Sequence, residues 1–96
     1  MLHAQVVFSG RVQGVGFRGR VRDAAMVEGV LGTVENMPDG TVRAIAECRD
    51  AAQLDRFIEL AKKPAAGLSA ARVDSAQVVE LYEKAESDFA SFDILR

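Results

Sequence analysis

The chain has 96 residues, 49% of them apolar and 27% charged, a composition that predicts one domain over residues 1–96 with no room for a second lobe. Its formal net charge of −2 disfavours general binding to nucleic acids, which rests on many basic contacts to phosphates. Residues 1–22 nevertheless contain four arginines and no acidic residue, so a local basic segment can bind one small anion.

The amino-terminal residues lack the basic and apolar regions of a signal peptide, and no apolar run approaches the roughly 20 residues that span a bilayer. We therefore expect a cytoplasmic protein that does not contact a membrane. Cys48 is the only cysteine and His3 the only histidine, which excludes a disulfide framework and a Cys/His zinc cluster within the chain. Cys48 is expected to be a buried, inert thiol.

Apolar periodicity and turn residues divide the chain into helices and strands. The predicted elements are a strand at 3–10, a helix at 17–29, strands at 30–36 and 41–48, a helix at 50–62, a loop at 64–70, and strands at 73–83 and 89–95. Gly29 is a natural stop for the first helix, and Asp50 can cap the second. In the second helix, the apolar residues Leu54, Phe57, Ile58 and Ala61 recur at helical spacing, which is typical of core packing.

The topology follows from the residues MPDG at 37–40, which predict a tight turn. This turn makes a hairpin of the two strands that follow the first helix, and a hairpin places its strands antiparallel. The element order is therefore βαββαβ with a short extra strand. We expect an α+β, ferredoxin-like fold, with an antiparallel sheet of four to five strands and two helices on one face.

Residues 14–19, GVGFRG, match the GxGxxG pattern of dinucleotide-binding turns, but the hairpin and the short chain exclude that fold. Gly14 and Gly16 lie between a strand and a helix, where several backbone N–H groups can converge on an anion. The helix start adds unpaired N–H groups, and Arg18 can grip two oxygens of a phosphate. The segment predicts a binding site of phosphate size, although a plain glycine turn with a surface arginine also fits the pattern.

Residues 10–18, GRVQGVGFR, closely resemble the G-x-V-Q-G-V-x-F-R motif of the acylphosphatase family. Residues 31–40, LGTVENMPDG, are similar to the family's G-x-V-x-N segment followed by D-G, and the spacing from Arg18 to Asn36 agrees as well. The resemblance continues through ARVD at 71–74 and a terminal F-x-I at 92–94. It therefore covers nearly the whole chain.

This resemblance implies an enzyme that hydrolyses acyl phosphates to a carboxylate and inorganic phosphate without a metal or cofactor. It implies that Arg18 and the loop amides bind the phosphoryl group, and that the Asn36 carboxamide orients the attacking water. The residues implied in phosphate binding are Gln13, Gly14, Val15, Gly16, Phe17 and Arg18. The expected partners are a small-molecule acyl phosphate and inorganic phosphate as product and inhibitor, with no nucleic acid, and the chain is expected to be a monomer.

Two other functions stay open. One is a noncatalytic module that binds phosphate or carbamoyl phosphate, which the short chain disfavours because such modules begin larger proteins. The other is an RNA-binding domain of the same topology, which needs exposed aromatic residues on its central strands. The segment TVRAIAEC at 41–48 has none.

Five features depart from the family pattern, although none removes a catalytic group. One is Cys48, which replaces a Gly that is common after the hairpin's Glu. Gly19 is an unusual residue for a helix start, and the link at 62–73 is longer than usual. Thr33 replaces a common aromatic residue and Glu35 a neutral or basic one, which can change the packing and potential beside Asn36. Outside the motif, Arg20 and Arg22 are interpreted as solvated helix residues and His3 as an ordinary strand residue.

Overall fold

The computed structural model describes residues 1–63 and 71–96. The elements in chain order are β1 (Leu2–Arg11), α1 (Phe17–Glu28), β2 (Leu31–Asn36), β3 (Val42–Cys48), α2 (Ala51–Lys62), β4 (Arg72–Glu83) and β5 (Phe92–Ile94). Every predicted helix and strand is present, and only β5 is clearly shorter than predicted. The loop predicted at 64–70 lies outside the described residues.

The five strands form one sheet in the order β4-β1-β3-β2-β5. β1 pairs antiparallel with β3 and β4, and β2 pairs antiparallel with β3, as the ferredoxin-like prediction requires. β5 pairs parallel with β2 and makes the sheet mixed, so the prediction of a purely antiparallel sheet is wrong at this edge.

The direction of β5 follows from where β4 ends. Glu83, the last residue of β4, lies opposite Leu2, and Leu31 at the start of β2 belongs to the same end of the sheet, because Leu2 and Leu31 lie opposite the neighbouring β3 residues Cys48 and Glu47. The chain crosses to the other edge at this end, through residues 84–91. It therefore enters β5 in the same direction as β2.

A buried carboxylate holds the crossing segment in place. One Glu47 oxygen accepts hydrogen bonds from Ser87 Oγ at 2.6 Å and Asp88 N at 3.1 Å, and the other lies 2.6 Å from His3 Nδ1 and 3.0 Å from Lys84 Nζ. Burial by itself raises the pKa of Glu47, but these donors together lower it to about 2. We call these five residues the Glu47 cluster.

Both helices pack on one face of the sheet, and the core lies between the two layers. Ala4, Val6 and Phe8 alternate along β1 and are fully buried on that face, as the sequence predicts. The helices bury Phe17, Val21, Ala24, Ala25, Leu54, Phe57 and Ala61, with Ile58 partly buried beside them. The α+β, ferredoxin-like class is thereby confirmed.

Candidate anion-binding active site

The loop between β1 and α1 turns through two glycines in left-handed backbone conformations. Gly14 has a φ of 74° and Gly16, which directly precedes α1, a φ of 77°. A Cβ atom at either position would meet no atom within 4 Å, so glycine is required by the backbone conformation and not by space. Val15 between them packs partly buried against the core. The loop can therefore direct several N–H groups toward one point.

Among the residues that the structure describes, no side chain caps the amino terminus of α1. No acidic residue lies in its first turn, and the first helical hydrogen bond runs from Arg20 N to Gly16 O at 3.4 Å. In α2, by contrast, the Asp50 carboxylate accepts a hydrogen bond from Gln53 N at 2.8 Å, as the sequence predicts. The first N–H groups of α1 and the positive end of its dipole are thus suited to bind an anion.

Arg18, the second residue of α1, is half-buried. Within residues 1–63 and 71–96 its guanidinium makes no hydrogen bond and no ion pair. A partly desolvated guanidinium without a carboxylate partner retains its full capacity for a bidentate contact with a phosphate. Because Arg18 belongs to the first turn of α1, it lies close in the chain to the uncapped N–H groups of that turn.

Phe17 and Arg20, which flank Arg18 in the chain, make contacts within the protein. Phe17 is buried edge-on against Phe8 of β1, with ring centroids 5.2 Å apart, and this contact fastens the helix start to the sheet. Arg20 lies over the Phe17 ring at 5.5 Å and donates a hydrogen bond to Ala61 O at 3.2 Å. The expectation of a solvated Arg20 is therefore wrong, and burial lowers the pKa of its guanidinium.

Gln13 connects the loop to the β2–β3 hairpin. Its side-chain amide donates hydrogen bonds of 2.8 Å to both Met37 O and Thr41 O. Because Met37 directly follows Asn36, these bonds bring the glycine loop and the predicted water-orienting residue to the same end of the sheet. No pattern in the sequence predicts this contact, because its partners are 24 and 28 residues away along the chain. The Gln13 side chain is occupied within the protein, which leaves its backbone for the predicted phosphate contact.

The turn after Asn36 is fixed by its own hydrogen bonds. Asp39 accepts hydrogen bonds from Thr41 N at 3.0 Å and Thr41 Oγ1 at 2.6 Å, which lower the pKa of its carboxyl group. Met37 N donates to Thr41 O at 2.8 Å. These hydrogen bonds restrain the turn and therefore the backbone of Asn36, which directly precedes it.

Asn36 ends β2, where its backbone N–H donates to Arg96 O at 3.0 Å. Strand alternation places its side chain on the same face as the buried Val34, toward the helix layer. The Oδ1 atom is shielded from solvent, and the carboxamide makes no hydrogen bond with any of the described residues. A buried acceptor of this kind calls for a donor, and a bound water is one group that can supply it.

The departures Thr33 and Glu35 lie on the opposite face, because they alternate with Val34 and Asn36 along β2. Glu35 forms an ion pair with Arg43, its direct neighbour on β3, and Arg96 Nε lies 3.9 Å from its other oxygen. The Glu35 charge is therefore compensated on the side of the sheet that faces away from Asn36.

In the described part of the chain, no group of three or more His, Cys, Asp or Glu side chains could hold a metal ion. Cys48 is buried as predicted, and burial raises the pKa of its thiol to about 11, so the thiol is protonated near neutral pH. No described helix combines the length and the apolar character needed to cross a membrane.

The fold and the site together define a small α+β domain with an anion-binding loop beside an unpartnered carboxamide. A family comparison matches residues 4–94 to Acylphosphatase. The acylphosphatase of Acaryochloris marina is 42% identical over 94 residues, which are 96% of this chain and 91% of that protein. The acylphosphatase of Gloeobacter violaceus is 40% identical over 95 residues, 99% of this chain and 95% of that protein.

Solved structures agree with this result. The crystal structure of acylphosphatase from Bacillus subtilis is similar with a TM-score of 0.84 at 32% identity, and the match covers 100% of both chains. Full-length HypF in its phosphate- and nucleotide-bound form matches with a TM-score of 0.68 at 26% identity, over 100% of this chain and 12% of that one. The chain belongs to the acylphosphatase family, whose members are enzymes that hydrolyse acyl phosphates.

Proposed function

We propose that this chain hydrolyses acyl phosphates by direct attack of water on a phosphoryl group bound at the start of α1. The Arg18 guanidinium binds two phosphoryl oxygens, and backbone N–H groups of the segment from Gln13 to Arg18 bind the phosphoryl group from the helix side. The Asn36 carboxamide accepts a hydrogen bond from the attacking water and sets its direction. The observation that carries the proposal is the buried Asn36 Oδ1, which has no partner within the described residues.

The chemistry makes modest demands on the protein. A carboxylate is a good leaving group, so the enzyme has to supply electrostatic stabilisation and a placed water, and neither a strong acid nor a covalent nucleophile. The water oxygen bonds to phosphorus while the bond from phosphorus to the acyl oxygen breaks. A neutral amide does not accept a proton near pH 7, so the proton of the water passes to an anionic phosphoryl oxygen. The products are a carboxylate and inorganic phosphate, and the phosphate competes for the same site.

The test is the hydrolysis of benzoyl phosphate by the purified chain in the presence of EDTA. We expect turnover that EDTA does not change and that added inorganic phosphate inhibits competitively. Loss of turnover on addition of EDTA would contradict the metal-free scheme. Absence of turnover in a folded sample would overturn the enzyme proposal.

A noncatalytic phosphate-binding module is the second candidate, and the HypF match favours it, because there the same fold makes up 12% of a longer chain. The same sample separates the two functions. Binding of inorganic phosphate in calorimetry without hydrolysis of benzoyl phosphate would assign the module. Binding together with turnover assigns the enzyme.

A further inference from the structure

The sheet does not join the glycine loop, residues 12–16, to the β2–β3 hairpin at the end where Asn36 lies. The β1–β3 ladder ends at the pair of Phe8 and Val42. Beyond that pair, β1 continues to Arg11 beside β4, and the chain then turns through the loop into α1. A connection between the loop and the hairpin therefore has to come from outside the strand ladders.

The side chain of Gln13 makes this connection. From a half-buried position, its Nε2 atom donates hydrogen bonds of 2.8 Å to Met37 O and to Thr41 O. Met37 directly follows Asn36, and Thr41 lies across the hairpin from Met37. Among the residues that the structure describes, these two are the only hydrogen bonds between the glycine loop and the turn of the hairpin.

The turn of the hairpin closes without these two bonds. Met37 N donates to Thr41 O at 2.8 Å, and Gly40 N donates to Met37 O at 3.1 Å, so each carbonyl already has a backbone donor from within the turn. A carbonyl oxygen has two lone pairs, and Gln13 uses the second one on each carbonyl. The Gln13 bonds therefore fix where the turn lies relative to the glycine loop and are not needed to form the turn.

The relative position of these two elements matters for the hydrolysis proposed above, on which this inference rests. In that scheme the glycine loop and Arg18 bind the phosphoryl group, whereas Asn36 directs the attacking water. The reaction requires the water and the phosphorus atom to be close and aligned, and a misplacement of about 1 Å can lower a rate by ~10²-fold. Gln13 is the hydrogen-bonded link between the element that holds the phosphoryl group and the element that holds Asn36.

We propose that Gln13 is a positioning residue for the hydrolysis, because its side chain sets the distance between the Asn36 carboxamide and the bound phosphoryl group. Both N–H groups of its amide are donated to the hairpin. The remaining Oε1 atom is an acceptor and does not bind an anionic phosphoryl oxygen. The side chain therefore acts through Asn36, and its loss should lower kcat while phosphate binding, which uses Arg18 and backbone N–H groups, changes little.

The first test makes the same substitution at two places in the full chain. Gln13→Met keeps the length of the side chain and removes both donors, so we expect kcat for benzoyl phosphate to fall by ~10-fold, with less than a ~3-fold change in the inhibition constant of inorganic phosphate. Gln53→Met is the matched control, because Gln53 is buried and also donates to a backbone carbonyl, that of Glu28. It should lower the denaturant midpoint at least as much and leave kcat per folded molecule unchanged.

Two outcomes of this comparison would overturn the proposal. One is a wild-type kcat in Gln13→Met, and the other is an equal loss of kcat in Gln13→Met and Gln53→Met, which would trace the loss to general destabilisation. If circular dichroism shows that Gln13→Met does not fold, Gln13→Asn takes its place in both tests. It keeps the amide but is one methylene too short to reach both carbonyls, so the same fall in kcat is expected.

The second test combines Gln13→Met with Asn36→Ala. If Gln13 acts through Asn36, the double variant has no carboxamide left to position, and its kcat should equal that of Asn36→Ala within ~2-fold. A further loss of ~10-fold would show that Gln13 acts independently of Asn36 and would overturn the proposal. The wild-type chain in the same assay separates the two levels of inference. Absence of wild-type turnover overturns the proposed function together with this role, whereas wild-type turnover with independent losses overturns the role of Gln13 alone.

Discussion

The two ends of the sheet differ in whether a buried polar side chain has hydrogen-bond partners within the protein. At one end, the Glu47 carboxylate is buried and receives hydrogen bonds from His3, Lys84, Ser87 and the Asp88 backbone. At the other end, the Asn36 carboxamide is without a partner within the described residues. A polar group that stabilises a fold is satisfied inside the protein, whereas one that acts on a ligand is left with unused capacity. From this contrast we expect the first end to contribute stability and propose that the second end acts on the substrate.

The largest expected effect is at Arg18. Arg18→Ala should lower kcat/KM for benzoyl phosphate by about 10³-fold, and Arg18→Lys by nearly as much, because an ammonium keeps the charge but loses the two-pronged contact. Arg22→Lys is the matched control, since Arg22 is exposed on the same helix and its ion pair with Asp23 is long, at 3.9 Å. Near-normal turnover in Arg18→Lys would rule out the bidentate role.

The next largest effect is expected from a substitution in the Glu47 cluster. Glu47→Gln should lower the free energy of unfolding by about 3 kcal/mol near pH 7, because it leaves Lys84 without its buried counter-charge and weakens the hydrogen bond to His3. Turnover per folded molecule should stay near that of the wild type. Glu80→Gln is the control, because Glu80 is half-exposed and lies 3.7 Å from His3 Nε2, and it should cost less than about 0.5 kcal/mol. Denaturant unfolding measures both.

The pH dependence of this difference identifies the carboxylate. The folded-state pKa of Glu47, about 2, lies below its ordinary value of 4.5, so the ionised form contributes stability above pH 4.5 and loses it as the pH falls toward 2. The gap between wild type and Glu47→Gln should therefore be full above pH 4.5 and shrink below it. A gap that stays constant from pH 5 to about pH 2 would show that the ionised carboxylate is not its source.

At the end of the sheet where Asn36 lies, Asn36→Ala should lower kcat by about 10²-fold while the inhibition constant of inorganic phosphate changes much less. The free energy of unfolding should hardly change, because the carboxamide makes no hydrogen bond to any residue that the structure describes. Glu47→Gln and Asn36→Ala thus form a pair with reversed effects on stability and activity. Equal losses of turnover and phosphate affinity in Asn36→Ala would indicate a role in binding or folding instead.

The two ends also differ in how well the sequence predicts them. Local signals predict the helix starts, the hairpin and the core stripe, because each depends on residues close together in the chain. The resemblance to the family motif likewise implies that the glycine loop, Arg18 and Asn36 act on one phosphoryl group. The Glu47 cluster could not be predicted, because its members come from β1, β3 and the crossing segment and meet only after the sheet has formed. The parallel pairing of β5 depends on the same crossing, so short-range patterns do not reveal it either.

The smallest expected effect concerns the stability of the first turn of α1, which contains a glycine at position 19. Gly19 lies in the first turn of α1 with an ordinary helical φ, and a Cβ atom there would meet no atom within 4 Å. Gly19→Ala should therefore raise the free energy of unfolding by about 0.5–1 kcal/mol. Gly16→Ala, three residues earlier, also has space but a φ of 77°, so it should lower that free energy by about 1 kcal/mol or more. Denaturant midpoints of the two variants measure the contrast, and equal shifts in both would mean that the left-handed turn is not what the loop requires.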